Sequence, residues 1–241
     1  HSTFSDGAHT LRDMAEACRA YGYTYFGIAD HSKAAFYANG LDEQRVAQQR
    51  EAIQELNQTL APFRIFHGVE VDILKDGQLD FDHETLQQLD YVVASVHTPL
   101  KMDEETATQR LLTAIRNPYT TILGHPTGRL LLRRAGYPVD HQQVIDACAE
   151  HQVVIEINSN PRRLDLDWQW MQYAVSKGVL LSINPDAHNT SGIGDMQYGV
   201  DVARKAGIPA DAVINTYTQE QLAHLFQQRK QQAIESANHQ V

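Results

Sequence analysis

Cysteine is almost missing from this chain: its 241 residues hold two, Cys18 and Cys148. Two thiols so far apart build neither a disulfide scaffold nor a cysteine-ligated zinc site. Each falls on the apolar stripe of a helix that periodicity predicts, so both are expected as small buried core residues. The expected compartment is the reducing cytoplasm. Long apolar runs are missing as well. No stretch approaches the roughly 20 consecutive apolar residues of a membrane helix, and biased sequence is confined to a Gln-rich end after Gln227. A helical membrane protein and a disordered chain are both excluded. Positive charge is scarce too: 20 Lys and Arg against 30 Asp and Glu leave a net charge of −10. Affinity for phosphate backbones comes largely from Lys and Arg, so the chain alone makes a poor general nucleic-acid binder. A local site whose positive charge is a bound cation stays open. The sequence carries no Gly-rich nucleotide loop, no Walker sequence and no nucleophile elbow.

Histidine is what the chain has in excess, with twelve residues that outnumber the lysines. Around them, short apolar runs rich in β-branched residues alternate with amphipathic segments. Strands are expected over 25–29, 64–71, 91–96, 120–123, 153–157 and 179–183. Helices are expected over 10–20, 42–60, 84–89, 104–116, 142–150, 167–176, 195–205 and 219–228. The first would be capped by Thr10 and present Leu11, Met14, Ala15 and Cys18 on one face. No linker-like break interrupts the rhythm, so residues 1–241 read as one domain, with 227–241 as a polar tail. Strands alternating with helices imply parallel pairing and α/β architecture. Six units are visible. With a seventh strand just upstream of His1, where a further segment is expected, the fold would be a distorted (β/α)7 barrel.

The decisive pattern lies where the runs stop. They end in Asp30-His31, Val69-Glu70, Val96-His97, Gly124-His125, Ile157-Asn158 and Asp186-Ala187-His188, and the chain opens on His1 with Asp6 close behind. Successive ends lie 27 to 39 residues apart, about one βα unit each. In barrels of parallel strands the active site is built at the C-terminal mouth from the ends of several strands. His1, Asp6, His31, Glu70, His97, His125, Asp186 and His188 therefore converge on one mouth. Any one of these alone would be read as a hydrogen-bonded structural residue or a helix cap; together they point to a metal cluster. Imidazole and carboxylate without thiolate suit Mn, Zn or Fe. Eight ligands exceed what one ion uses, so two or three divalent ions are implied. Ions about 3.5–4 Å apart can share a hydroxide and clamp both attacking and leaving oxygens, which is the chemistry of phosphoester hydrolysis.

Further residues are candidates for the substrate. Arg129 follows Gly128 beyond His125, with Arg133 and Arg134 nearby, and Arg162 and Arg163 follow Pro161. They would form a basic rim on an acidic chain, suited to phosphate. Arg129, Asn160, Arg162 and Arg163 are taken as substrate-binding, and Glu70, Asp186 and Arg129 as catalytic. Asn158 and Asn160 could equally close a turn. His9, His67, His83, His141, His151, His224 and His239 lie off the strand-end pattern and are expected on the surface or in loops. Trp168 and Trp170 are expected to pack a helix.

These stretches resemble the PHP (polymerase and histidinol phosphatase) superfamily, and in particular the C-terminal PHP domain of bacterial family X DNA polymerases. The resemblance runs from His1 to about Phe226. It rests on His1-Ser-Thr-Phe-Ser-Asp-Gly7, Ala29-Asp-His-Ser32, Gly68-Val-Glu-Val-Asp-Ile-Leu74 and Ala94-Ser-Val-His97. It continues through Gly124-His-Pro-Thr-Gly-Arg-Leu130, Glu156-Ile-Asn-Ser-Asn-Pro161, Arg163-Leu-Asp-Leu166 and Asp186-Ala-His188. The resemblance implies three metal positions: His1, Glu70 and Asp186; Glu70 as a bridge with His97 and His125; and Asp6, His31 and His188. It further implies a Mn-favouring phosphodiesterase that trims DNA 3′ ends in the 3′–5′ direction, with abasic-site cleavage also expected. DNA would be held with the help of a polymerase domain upstream. The superfamily opens on His-x-His, of which this chain starts at the second His, and Pro185 stands where Thr is common. A stand-alone phosphatase of a small phosphomonoester such as histidinol phosphate is the alternative. A metal-stabilised module without catalysis is a third reading, against which all eight ligand positions are filled.

Overall fold

Runs such as Tyr91-Val-Val-Ala94 offer no polar face to water, which is the signature of strands covered on both sides. In the computed structural model, which describes residues 1–238, six strands form: β1 (Tyr25–His31), β2 (Arg64–Asp72), β3 (Tyr91–Ser95), β4 (Ile122–Leu123), β5 (Val154–Asn158) and β6 (Leu181–Asn184). They pair in chain order and every pair is parallel. The sheet curls into a half-barrel whose two free edges belong to β1 and β6. Among the described residues no strand joins those edges; the outer side of β6 makes one bridge, Leu181 with Val213.

Eight α-helices accompany the strands: α1 (Leu11–Ala20), α2 (Glu43–Thr59), α3 (His83–Leu86), α4 (Glu104–Arg116), α5 (His141–Glu150), α6 (Trp168–Ser176), α7 (Met196–Lys205) and α8 (Gln219–Asn238). Thr10 and Asp13 close a reciprocal capping box on α1. Asp42, Asp82, Asp103, Asp140 and Asp167 each cap a helix by accepting a backbone N–H from its first turn. Part of the acidic excess is thus spent on helix N-termini, where negative charge is favourable.

The alternating side chains of the strands serve two layers. Ile28 and Ile65 face the helices, packing with Leu11, Met14, Cys18 and Ile53. Phe66, Tyr91, Val93 and Ile122 face the hollow of the half-barrel, where Leu222 and Phe226 of α8 meet them. Cys18 and Cys148 are buried as expected. The closing helix differs from expectation, since it continues past Gln228 through residues 227–238 of the expected polar tail. Leu222, Phe226, Arg229 and Ala233 recur at helical spacing. Arg229 donates to the carbonyls of His151 and Thr120 at 2.7 and 2.9 Å, and Ala233 joins the core. Gln, Lys and Arg between them are good helix formers, so one anchored residue per turn suffices. His239 lies outside the described residues. No described helix is long and apolar enough to cross a membrane.

Candidate metal centre

All six strands point their C-terminal ends the same way, and the register places His31 of β1 beside Glu70 of β2. His97 lies two residues beyond β3, His125 two beyond β4, and Asp186 and His188 just beyond β6. His1 and Asp6 arrive on the N-terminal loop. Asp30, wholly buried on β1, holds that loop: its carboxylate accepts from the Ser2 N–H, the Ser2 and Ser5 hydroxyls and the Gln49 amide, all at 2.6–2.7 Å. Gly7 closes the loop so tightly that a Cβ there would lie 2.6 Å from the Ser2 backbone. The Ala8 N–H then donates to the His188 carbonyl at 2.7 Å, joining the first and last ligand-bearing loops.

Glu70 sits at the centre. One oxygen lies 2.9 Å from His125 Nε2 and 3.3 Å from His97 Nε2; the other lies 3.3 Å from His31 Nδ1 and 3.4 Å from His1 Nε2. Four imidazoles on one buried carboxylate is an arrangement that calls for shared positive charge. Beside it, His1 Nε2 is 2.9 Å from Asp186 Oδ1. Asp6 Oδ1 is 3.4 Å from His188 Nε2 and 3.9 Å from His31 Nε2. The rings of His31 and His188 both stack against that of His1, with centroids 4.4 and 4.1 Å away, and lie 6.0 Å from each other. Three groups each bring their ligand atoms within 4.8 Å of one another: His1, Glu70 and Asp186; His31, Glu70 and His97; and His1, Asp6, His31 and His188.

The electrostatics follow from this crowding. Burial opposes a charge on Glu70, but His97 and His31 and the hydrogen bond from His125 hold its carboxyl well below the usual range. Burial also opposes a proton on His1; the bond to and charge of Asp186, with Glu70 beside it, overrule it and raise His1 to about 9. His97 rises to about 10 against the same penalty, through Glu70 and Asp72. His31 goes the other way, to about 4, because burial dominates. Carboxylates that hold protons on His1 and His97 would hold cations in their place. Of the ring nitrogens that face Glu70, His31 Nδ1 is moreover buried with no hydrogen-bond partner among the described residues, a state that ordinary polar groups avoid. This donor set fits a group of divalent cations. One would be held by His1, Glu70 and Asp186, another by His1, Asp6, His31 and His188, and a third by His31, Glu70 and His97. The set of Glu70, His97 and His125 that the resemblance implies is not among these groups, although His125 Nε2 lies 2.9 Å from Glu70.

Two buried carboxylates that brace the site, Asp72 and Glu156, escaped sequence reasoning, and Asn158 was weighed there only as a substrate or turn residue. Asp72 pairs with His97 Nδ1 and would fix that ring's orientation. Glu156, buried on β5, accepts from the His125 backbone N–H at 2.6 Å and from the Asn184 amide at 2.9 Å. Asn158 donates to both Glu156 and Asp186, at 3.3 and 3.2 Å. His125 and Asp186 both adopt positive φ, +22° and +53°. Such backbone is costly unless neighbours impose it, and here the network of Glu156, Asn158 and Asn184 does so. Asp72 and Glu156 could have been found as charges inside otherwise apolar strands.

The substrate candidates separate. Arg163 Nε lies 3.4 Å from Asp186 Oδ2, at the cluster. Arg129 is placed in the scaffold behind it: its guanidinium donates to the carbonyls of Arg163 and Leu164 and to Asp167 at 2.6 Å. All three nitrogens are occupied there, so it acts on the loop that carries Arg163. Asn160 closes a turn by accepting the Arg162 N–H at 3.0 Å. Arg162, Arg133 and Arg134 are exposed on the rim. His67, expected at the surface, is instead buried on β2 with Gln49 at 3.1 Å, because it faces α2.

Comparison with known proteins agrees with the geometry. The family model of the PHP domain matches residues 1–160. The chain belongs to the PHP domain family. This PHP domain is 46% identical over 215 residues to a Bacillus subtilis protein named DNA polymerase/3′-5′ exonuclease PolX, covering 89% of the chain but 38% of that protein. It is 32% identical over 174 residues to a probable phosphatase of Thermoanaerobacter sp. (strain X514), 68% of this chain and 69% of that one. Among solved structures, the histidinol phosphate phosphatase of Lactococcus lactis, complexed with Zn, L-histidinol and phosphate, superposes with a TM-score of 0.61. It is 15% identical and covers 87% of this chain and 92% of its own, a likeness of fold. Family membership makes the chain a phosphoesterase and leaves its ester to be argued from the site.

Proposed function

We propose that this PHP domain hydrolyses phosphodiester bonds at DNA 3′ ends. Water adds to the terminal phosphorus and the bond to the neighbouring O3′ breaks, so a nucleoside 5′-monophosphate leaves and the shortened strand keeps its 3′-hydroxyl. The observation that carries the choice of DNA is the 46% identity to the B. subtilis protein over 89% of the chain. Divalent cations (Mn, Zn or Fe) would supply Lewis acidity and a lowered pKa for the attacking water. The chain's own residues do the rest. Glu70 and Asp186 stay ionised and supply the negative charge of the ligand set, Arg163 grips a non-bridging phosphate oxygen beside Asp186, and Arg129 holds the Arg163 loop. Cleavage beside abasic sites would use the same cluster.

A phosphatase of small phosphomonoesters is the second reading, favoured by the relative named a probable phosphatase. Salt separates the two. Hydrolysis of an oligonucleotide should fall steeply between 50 and 200 mM salt, because DNA binding releases counterions. Phosphate release from histidinol phosphate should be slow and nearly insensitive. Efficient, salt-insensitive release from the small ester with no action on DNA would reverse the assignment.

A further inference from the structure

The rim of the mouth carries two large apolar side chains that nothing in the fold explains. Phe36 is 85% exposed and its neighbour Tyr37 is 59% exposed. They lie in the short 3₁₀ turn Phe36–Ala38, five residues beyond His31, with their rings at 78° and centroids 6.0 Å apart. A single exposed apolar residue is ordinary, but an adjacent aromatic pair at the edge of a polar site is not.

The turn beneath them is firmly built. Ala35, Ala38 and Leu41 are buried, so the backbone is anchored on either side of the rings. The Ala34 N–H donates to Asp80 at 2.6 Å and the Leu41 N–H to the His31 carbonyl at 2.7 Å. Arg45 donates to the carbonyls of Asn39 and Gly40, at 2.8 and 3.0 Å, and to that of Phe4 on the loop of His1 and Asp6. The platform is therefore fixed to the elements that carry His1, Asp6 and His31. Burial, then the carboxylates of Asp72, Glu70 and Asp6, push the Tyr37 phenol up to about 12, while Arg163 opposes them. The arginines of the rim stand on the loops after β4 and β5, which are tied together by the Leu131 N–H on the Arg162 carbonyl.

We propose that Phe36 and Tyr37 form a base-stacking subsite for the terminal nucleotide of a DNA 3′ end whose phosphate lies between the cluster and Arg163. The inference rests on the DNA reading above and names the part of the substrate that reading leaves unassigned. Stacking accepts every base, as trimming of arbitrary sequence demands. It also needs no cations, which suits a chain of net charge −10.

The test uses the chain as it is, with Mn²⁺. Primers carry at the 3′ end either an ordinary nucleotide or an abasic tetrahydrofuran. Phe36→Ala/Tyr37→Ala should raise KM for the ordinary end by about tenfold or more with little change in kcat, and much less for the abasic end. Tyr37→Phe, which keeps the ring, should retain most of the wild-type KM. A second readout is independent of turnover: a 3′-terminal 5-iodouracil, irradiated with Ca²⁺ in place of Mn²⁺, should cross-link to Phe36 or Tyr37. Trimming with equal KM in wild type and double variant, or a cross-link mapped elsewhere, would overturn the stacking subsite alone. Failure of the wild-type chain to shorten either primer would overturn the DNA reading and this inference with it.

Discussion

Glu156 shows how much of the centre depends on residues that would touch no cation. Its carboxylate takes three donors, the His125 backbone N–H and the amides of Asn158 and Asn184. Glu156→Gln would aim an NH₂ at donors. Loss of such support typically costs about 10- to 100-fold in metal affinity, which competition with a chromogenic chelator would read. The candidate ligands His31, Glu70, His97, His125, Asp186 and His188 were legible because each stands at or just beyond the end of an apolar run, whereas His1 and Asp6 lie on the N-terminal loop. Asp72 and Glu156 stood out only as charges in apolar strands, and such a charge carries no sign of which neighbour it will orient. Asn158 was weighed as a turn residue, and it does accept the Asn160 N–H while its amide reaches Asp186. Titration gives a second expectation. His1 and His97 stand near 9 and 10 in the folded protein, against 6.5 when unperturbed. A raised folded pKa stabilises fully below 6.5 and is lost as pH rises through the folded value. The melting temperature in chelator should therefore fall between pH 7 and 10, and divalent cations should abolish that slope by taking the protons' place.

At the scale of elements, the strand–helix order was readable because two periodicities alternate, and the helix starts because aspartates and Thr10 mark them. The end of α8 was not. A stripe of Leu222, Phe226, Arg229 and Ala233 has one anchored residue per turn, and a Gln-rich surround hides it. The structure makes Arg229 a clamp on two strand-flanking carbonyls. Arg229→Ala leaves those carbonyls without their charged donor, so a loss of about 1.5–3 kcal/mol is expected in chemical denaturation. A variant as stable as wild type would mean that the segment after Gln227 behaves as the polar tail its composition suggested.

At the scale of the molecule, six parallel strands deliver their ends to one side, and that polarity brings together every candidate ligand except His1 and Asp6, which the N-terminal loop adds. The half-barrel is what the sequence pattern could foresee only in outline, since closure depends on edges that no residue type announces. The molecule's acidity is also intelligible at this scale: carboxylates sit at helix N-termini and in groups that could hold cations, while five of the fourteen arginines stand on the loops after β4 and β5. The central claim is that this centre cuts DNA 3′ ends, and a primer with a recessed 3′ end, labelled at its 5′ end, tests it most directly. With Mn²⁺ present, the wild-type chain should give a ladder of shortened products, and Asp186→Ala, which removes a carboxylate from the ligand set, should give none. A primer left intact by the wild type, or a ladder of equal strength from the variant, would contradict the account.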